Sequence, residues 1–147
     1  MKIGIGSDHA GFCLKEQIRK ALIKTGYDVV DFGTRNNKSV DYSDYAVKVA
    51  RAVAFREIDR GILICGTGIG MSITANKIRG IRAALCNDLF CAKLSRLHND
   101  ANILAMGGRI LAGELAWEIT QTFLETPFTA GKHLRRVNKI KALEKEL

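Results

Sequence analysis

At 147 residues, 47% of them hydrophobic and 26% charged, the chain has the length and composition of one ordinary globular domain with a full core. It holds no apolar run long enough to span a bilayer, and Met1-Lys2-Ile3-Gly4 is charged too early for a signal peptide. A net charge of +8 favours anionic partners. The basic excess gathers in Lys132-His133-Leu134-Arg135-Arg136 with Lys139 and Lys141, and aromatics do not interleave with it, which argues against nucleic acid as the partner. Cys13, Cys65, Cys86 and Cys91 form no C-x-x-C pair, so they suggest neither a zinc site nor a redox dithiol, and free thiols fit a reducing, cytoplasmic setting.

Taken in chain order, short runs rich in Val and Ile alternate with segments of helical period. A strand is expected over Lys2–Ser7, a helix over Gly11–Thr25, a strand over Tyr27–Phe32 and a helix over Ser43–Phe55. A strand over Gly61–Cys65, a helix over Gly70–Ile78, a strand over Ile81–Cys86 and a helix over Leu89–Leu97 follow. The series ends with a strand over Asn102–Met106 and helices over Gly113–Leu124 and Gly131–Glu146. Alternating βα units of this kind specify an α/β protein, a three-layer α/β/α sandwich around a parallel sheet, with no linker or repeat to divide it.

In such sheets ligands bind outside the carboxyl ends of the strands. After the first strand stands Ser7-Asp8-His9-Ala10-Gly11, after the third Cys65-Gly66-Thr67-Gly68-Ile69-Gly70, and after the fifth Gly107-Gly108-Arg109, so these loops are expected to converge. Ser95-Arg96-Leu97-His98-Asn99-Asp100 leads into the last strand and is expected near the same edge, in this subunit or a neighbour's. The glycines match neither the dinucleotide fingerprint, since Met71 stands where its third glycine belongs, nor a P-loop, since no G-K-[ST] follows. Gly66, Gly68 and Gly70 instead offer unshielded N–H groups leading into a helix, a setting for an oxyanion rather than a dinucleotide.

A thiol at that place is favoured as thiolate, so Cys65 is a candidate base or nucleophile, whereas Cys13, Cys86 and Cys91 read as small buried apolar residues. His9 adjoins Asp8 at a strand end and His98 opens a polar loop, although an isolated histidine also serves local hydrogen bonding alone. Asp8 could equally cap the first helix, and Tyr42 and Tyr45 beside Asp41 could be the packing face of the second.

Gly6-Ser7-Asp8-His9-Ala10-Gly11, Asp41-Tyr42, Gly61-Ile62-Leu63-Ile64-Cys65-Gly66-Thr67-Gly68-Ile69-Gly70, Leu97-His98-Asn99-Asp100 and Gly131-Lys132-His133 together resemble the type B ribose-5-phosphate isomerases, in order and spacing over essentially the whole chain. The resemblance implies a Rossmann-like sandwich with a five-stranded parallel sheet, and a homodimer or dimer of dimers with active sites where subunits meet. It implies interconversion of ribose 5-phosphate and ribulose 5-phosphate without metal, nucleotide or other cofactor. Cys65 corresponds to the base acting between C1 and C2, and the amides of Gly66, Gly68, Ile69, Gly70 and Met71 to the hole for the enediolate. Asp8, Thr67 and His98 correspond to sugar-binding and ring-opening residues, with Asn99 and Tyr42 nearby, and His9, Arg109, Lys132, His133 and Arg136 to the phosphate end.

The chemistry is coherent apart from the family, because moving a proton next to a carbonyl needs a positioned base and donors for the oxygen charge that develops. The same framework serves allose 6-phosphate and galactose 6-phosphate isomerases, and a regulatory or nucleic-acid-binding domain could keep the fold without the activity. The chain departs from the ribose enzymes it resembles at Lys132, where their pattern commonly has an arginine. On the last helix Lys132 and Arg136 are expected to share a face, and Leu134, Val137 and Ile140 to pack inward from another.

Overall fold

A computed structural model describes residues 1–146. The element order is β1 (Lys2–Ser7), α1 (Phe12–Lys24), β2 (Asp28–Asp31), α2 (Tyr42–Ala54), β3 (Arg60–Cys65), α3 (Ile69–Ala75), β4 (Ala83–Leu85), α4 (Leu89–Asn99), β5 (Ile103–Gly107), α5 (Gly113–Glu125) and α6 (Gly131–Leu143). The strands form one sheet in the order β2-β1-β3-β5-β4, parallel throughout. Both faces of that sheet are covered, as all-parallel strands require.

Strand alternation sorts the core into two layers. Ile3, Ile5, Ile62, Ile64, Leu104 and Met106 face α1, α4 and α5 and meet Leu14, Ile18, Ala92, Ile119 and Phe123. Leu63, Cys65, Ile103 and Ala105 point the other way, toward α2 and α3, and meet Val49, Val53, Met71 and Ala75. Cys65 therefore belongs to the thinner layer, under the short helix that follows it.

From β1 the chain crosses to β2 on one side; β3 then lies on the other side of β1, the chain passes out to the edge at β4, and β5 returns to fill the place between β3 and β4. The sheet order thus reverses between β1 and β3, and α1 and α3 leave those two strands toward opposite faces. A crevice opens between them, the usual ligand site of such sheets. Asp8 and Cys65 stand at its two lips.

Several expectations are corrected. β4 is shorter than Ile81–Cys86, because it is an edge strand whose outer side is taken by side chains: Asn76 Oδ1 accepts the Ala83 amide at 2.8 Å and Asn76 Nδ2 donates to the Ala83 carbonyl at 2.9 Å. The last helix ends at Leu143 rather than Glu146. Cys13 and Cys91 are exposed, not buried; Leu14, Lys15 and Ile18 are the core side of α1, which leaves Cys13 on the outer face, and Cys91 sits in the solvated first turn of α4. Cys86 is buried as expected, and burial pushes its thiol up to about 12. On α6 only Val137 of the three expected apolar residues is buried; Leu134 and Ile140 are each 43% exposed, because α6 packs chiefly against α4 and buries only the stripe of His133 and Val137.

Candidate active site

The loop after β3 is held by backbone contacts. Gly68 ends it at φ +82°, a left-handed conformation, and a methyl there would come 2.5 Å from Leu85 Cδ1 and 2.9 Å from the Met106 carbonyl carbon. Only glycine satisfies both conditions. The turn brings the Gly68 amide onto Cys65, whose Sγ accepts its hydrogen bond at 3.1 Å. Cys65 itself is 5% exposed. α3 begins one residue later, at Ile69, and the amides of its first turn, Ile69, Gly70 and Met71, have no carbonyl four residues back within the helix.

The three expected loops do converge. Gly108 donates to the Cys65 carbonyl at 2.7 Å and Arg109 to the Gly66 carbonyl at 3.0 Å, zipping the β5 loop onto the β3 loop. Arg109 Nη1 lies over Gly66, 3.1 Å from where a methyl would stand. A methyl on Gly108 would come 3.0 Å from the Ala10 carbonyl, so the β1 loop closes the group. In that loop Asp8 Oδ1 accepts from Ala10 at 2.9 Å and from Gly11 at 3.0 Å. It thus orders the turn ahead of α1, whose cap position belongs to Gly11.

His9 Nδ1 accepts from the Val40 amide at 3.2 Å, which ties the segment before α2 to the crevice and leaves Nε2 to carry the ring proton. Tyr42, 45% exposed at the start of α2, lays its ring against Gly70, where a methyl would come 2.6 Å from Cε2. Tyr45 is the half-buried tyrosine that packs on the core, so the two split the roles left open by the sequence. Thr67 is exposed, and its Oγ1 accepts from Ile69 at 3.3 Å.

The remaining expected residues gather elsewhere. α4 starts beside the carboxyl end of β4 and runs back, so His98 and Asn99 at its far end lie at the amino edge of the sheet, next to the start of β5. Its 11 residues rise about 16 Å at 1.5 Å each, which sets the scale of the separation from Cys65 within one chain. Thr129 donates to the Leu97 carbonyl at 3.0 Å and brings the start of α6 to the same place. There His133 stacks on His98, with ring centroids 4.1 Å apart and planes 12° from parallel. Burial holds His133 below the usual histidine value, and the charges of His98, Lys132 and Arg136 act in the same direction. Its Nδ1 is buried without a protein partner. Lys132 and Arg136 are exposed beside it.

The chain thus carries two groups of candidate residues at opposite edges. Asp8, His9, Tyr42, Cys65 to Met71 and Arg109 form one, and His98, Asn99, Lys132, His133 and Arg136 the other. Sequence reasoning passed over Arg82 and Arg96, which grip the turn after Asn99 from outside the motif. No local signal marks Arg82, because it acts across 18 residues of sequence.

No helix is long and apolar enough to cross a membrane among the described residues. The family described as ribose/galactose isomerase matches residues 3–140. Ribose-5-phosphate isomerase B of Escherichia coli is 49% identical over 143 residues, 97% of this chain and 96% of that protein. A 4-deoxy-4-sulfo-D-erythrose isomerase of a Clostridium species is 46% identical over 130 residues, 88% of this chain and 82% of that one. The structure of Clostridium thermocellum ribose-5-phosphate isomerase B superposes with a TM-score of 0.98 at 56% identity and covers 99% of both chains. With the family matched over residues 3–140 and relatives of about half or more identical residues covering nearly the whole chain, the chain belongs to the ribose/galactose isomerase family.

Proposed function

We propose that the protein interconverts ribose 5-phosphate and ribulose 5-phosphate by proton transfer through an enediolate. The observation that carries this reading is the Gly68 N–H donated to Cys65 Sγ at 3.1 Å, at the crevice where the sheet order reverses. A sulfur that accepts an amide hydrogen bond at the start of a helix, in a glycine-rich turn, is placed to serve as a base next to donors for a developing oxyanion.

In the proposed cycle Asp8, Thr67 and His98 bind the sugar and help open its ring, with Asn99 and Tyr42 alongside. The Cys65 thiolate takes the proton from C2 of the open-chain aldose, and the C–H electron pair moves through the C1–C2 bond to the carbonyl oxygen. The amides from Gly66 to Met71 stabilise the oxygen charge, and one preorganised donor of this type is worth about 3 to 4 kcal/mol where it has been removed from an enzyme. Cys65 returns the proton to C1, and a hydroxyl proton passes from O2 to O1. Thiolate and amides supply both requirements of the step, so the cycle calls on no metal or nucleotide. His9, Arg109, Lys132, His133 and Arg136 hold the phosphate.

Cys65 and His98 stand at opposite edges of one chain, so the cycle requires the Cys65 edge of one protomer to meet the His98 edge of its partner. A homodimer, alone or paired into a dimer of dimers, supplies that arrangement. Ile69 and Ile73 on α3, Leu85 at the end of β4 and Phe90 on α4 are exposed on the Cys65 side, an apolar surface suited to such a contact. The exposed thiols of Cys13 and Cys91 support a reducing, cytoplasmic location.

Lys132 favours a second reading, isomerisation of allose 6-phosphate or galactose 6-phosphate, since a lysine offers the phosphate a point charge rather than an arginine's planar fork. Side-by-side kcat/KM values for the three sugar phosphates decide between them. Ribose 5-phosphate is expected to exceed the others at least tenfold; a six-carbon preference would establish the second reading, and binding without turnover of any would leave a regulatory domain.

A further inference from the structure

Asp100 ends α4 with φ +47° and ψ +43°, the left-handed conformation in which glycine, not a residue with a side chain, usually closes a helix. The strain has a visible counterpart. Two arginines from different elements meet on its carboxylate: Arg96, one turn back on α4, donates from Nη1 to Oδ1 at 2.9 Å, and Arg82, just ahead of β4, donates from Nη2 to Oδ2 at 3.0 Å.

Arg82 also reaches the backbone of the same turn. Its Nε donates to the Asn99 carbonyl at 3.1 Å and the Asp100 carbonyl at 3.0 Å, and its Nη2 to the Asp100 carbonyl at 2.8 Å. Those carbonyls would otherwise be unsatisfied at the helix end. Arg96, 4% exposed, continues the connection with Nη1 to the Ala101 carbonyl at 2.5 Å and Nε to the Thr126 carbonyl at 3.3 Å, at the end of α5. One carboxylate thus joins the start of β4, the end of α4, the entry to β5 and, through Arg96, the segment that leads into α6.

We propose that Arg82, Asp100 and Arg96 are positioning residues for the isomerisation: they lock the last turn of α4 so that His98 stacks on His133 and Asn99 is held outward for the site. This rests on the functional reading above. None of the three touches the reacting atoms. They act through His98 and Asn99, which directly precede Asp100, and through the α5–α6 segment that carries His133 to its stack. A helix stop with no further role would be met by glycine, which adopts the same backbone without strain and needs neither arginine. Here a charged residue is kept in that conformation, and a forked guanidinium is placed where it can cap two carbonyls and a carboxylate oxygen together, a geometry lysine cannot reproduce.

The test compares Asp100→Gly, Asp100→Asn and Arg82→Lys with the full-length protein by ribose 5-phosphate kinetics, thermal midpoint and the histidine ring proton resonances in NMR. Glycine relieves the backbone and removes the clamp, asparagine tolerates the backbone and removes the charge, and lysine keeps a cation but loses the fork. Each variant is expected to lower kcat/KM at least tenfold, and the His98 and His133 resonances to lose the upfield displacement that the stack imposes. Asp100→Asn combined with Arg82→Lys should cost less than threefold beyond the worse single variant, since both break one device. A folded Asp100→Gly with kcat/KM within twofold of wild type and unmoved histidine resonances would overturn the proposal. Should the Asp100 variants not fold, Arg82→Lys decides by the same two readings. If the wild-type protein does not turn over ribose 5-phosphate, the functional reading falls while the histidine resonances still test the clamp.

Discussion

The two edges of the sheet are built from different materials. At the carboxyl edge the candidate groups are mostly backbone: the Gly68 amide on Cys65, the amides of Gly108 and Arg109 on the carbonyls of Cys65 and Gly66, and glycines that admit Arg109 and Tyr42. At the amino edge they are long side chains held by other side chains, with His98 stacked on His133 and Asp100 gripped by two arginines. A backbone edge needs one permissive residue at each turn, and a side-chain edge needs several distant residues to agree. The first is therefore compact in sequence and the second dispersed.

The sharpest way to break this comparison is to remove the side chain proposed as the base at the carboxyl edge. Cys65→Ala is expected to lower kcat about 100-fold or more, the usual contribution of a positioned general base, while the thermal midpoint and the KM for ribose 5-phosphate change little. A kcat within about threefold of wild type would show that the amides act without the thiol and that Cys65 only packs against Met71 and its layer.

The next experiment asks whether the two edges meet. Inactive Cys65→Ala and inactive His98→Ala chains, refolded together, form mixed dimers in which one of the two sites has both residues intact. Random pairing puts half of the dimers in that class, so about one quarter of wild-type activity should return. No recovery in a sample whose mixing is proven by mass would place both residues in one subunit's site, against the separation that α4 imposes.

How much of each edge could be read in the sequence follows from their materials. Lys2–Ser7 and the strand ending at Cys65 are legible to the residue at their carboxyl ends, because the first apolar run meets the polar turn Ser7-Asp8-His9 and the second stops at Gly66. The convergence of Asp8, Cys65 and Arg109 followed from parallel topology alone. The stack of His98 on His133 did not, because 35 residues and two helix reversals separate the rings, and no periodicity links them. α6 differs for a related reason: Val137 packs, but Leu134 and Ile140 do not, since helical spacing marks which residues share a face and not how wide a stripe the neighbouring element, here α4, covers. Cys13 and Cys91 show the limit of residue type, since cysteine is commonly buried and both here occupy outward positions of helical first turns.

A third prediction sharpens the comparison at the phosphate end, where the proposal draws on both edges. Arg136→Ala is expected to raise KM for ribose 5-phosphate at least tenfold, equal to about 1.4 kcal/mol of binding, with a smaller change in kcat. Lys132→Ala should do less, because a compact ammonium on an exposed stem contributes a screened point charge and no fork. An unchanged KM in Arg136→Ala would remove α6 from the phosphate site and leave the anion to Arg109 and His9.

The smallest expected effect is one of pH, and it concerns His133 alone. Burial, with the charges of His98 on α4 and of Lys132 and Arg136 on α6, holds this imidazole below its ordinary 6.5 in the folded chain. The unfolded chain therefore takes up the proton more readily than the folded one at mildly acid pH. The stability that comes from keeping His133 neutral is fully present above about 6.5 and declines as pH falls through the window below it. The thermal midpoint should drop modestly between pH 7 and pH 5.5, by less than any substitution above produces. His133→Gln, which cannot titrate, should flatten that slope. A bound sugar phosphate should flatten it as well, because an anion beside the ring favours the protonated form in the folded state and narrows the gap between the two states. A slope steeper in the bound protein than in the free one would separate His133 from the anion, and with it the amino edge from the phosphate.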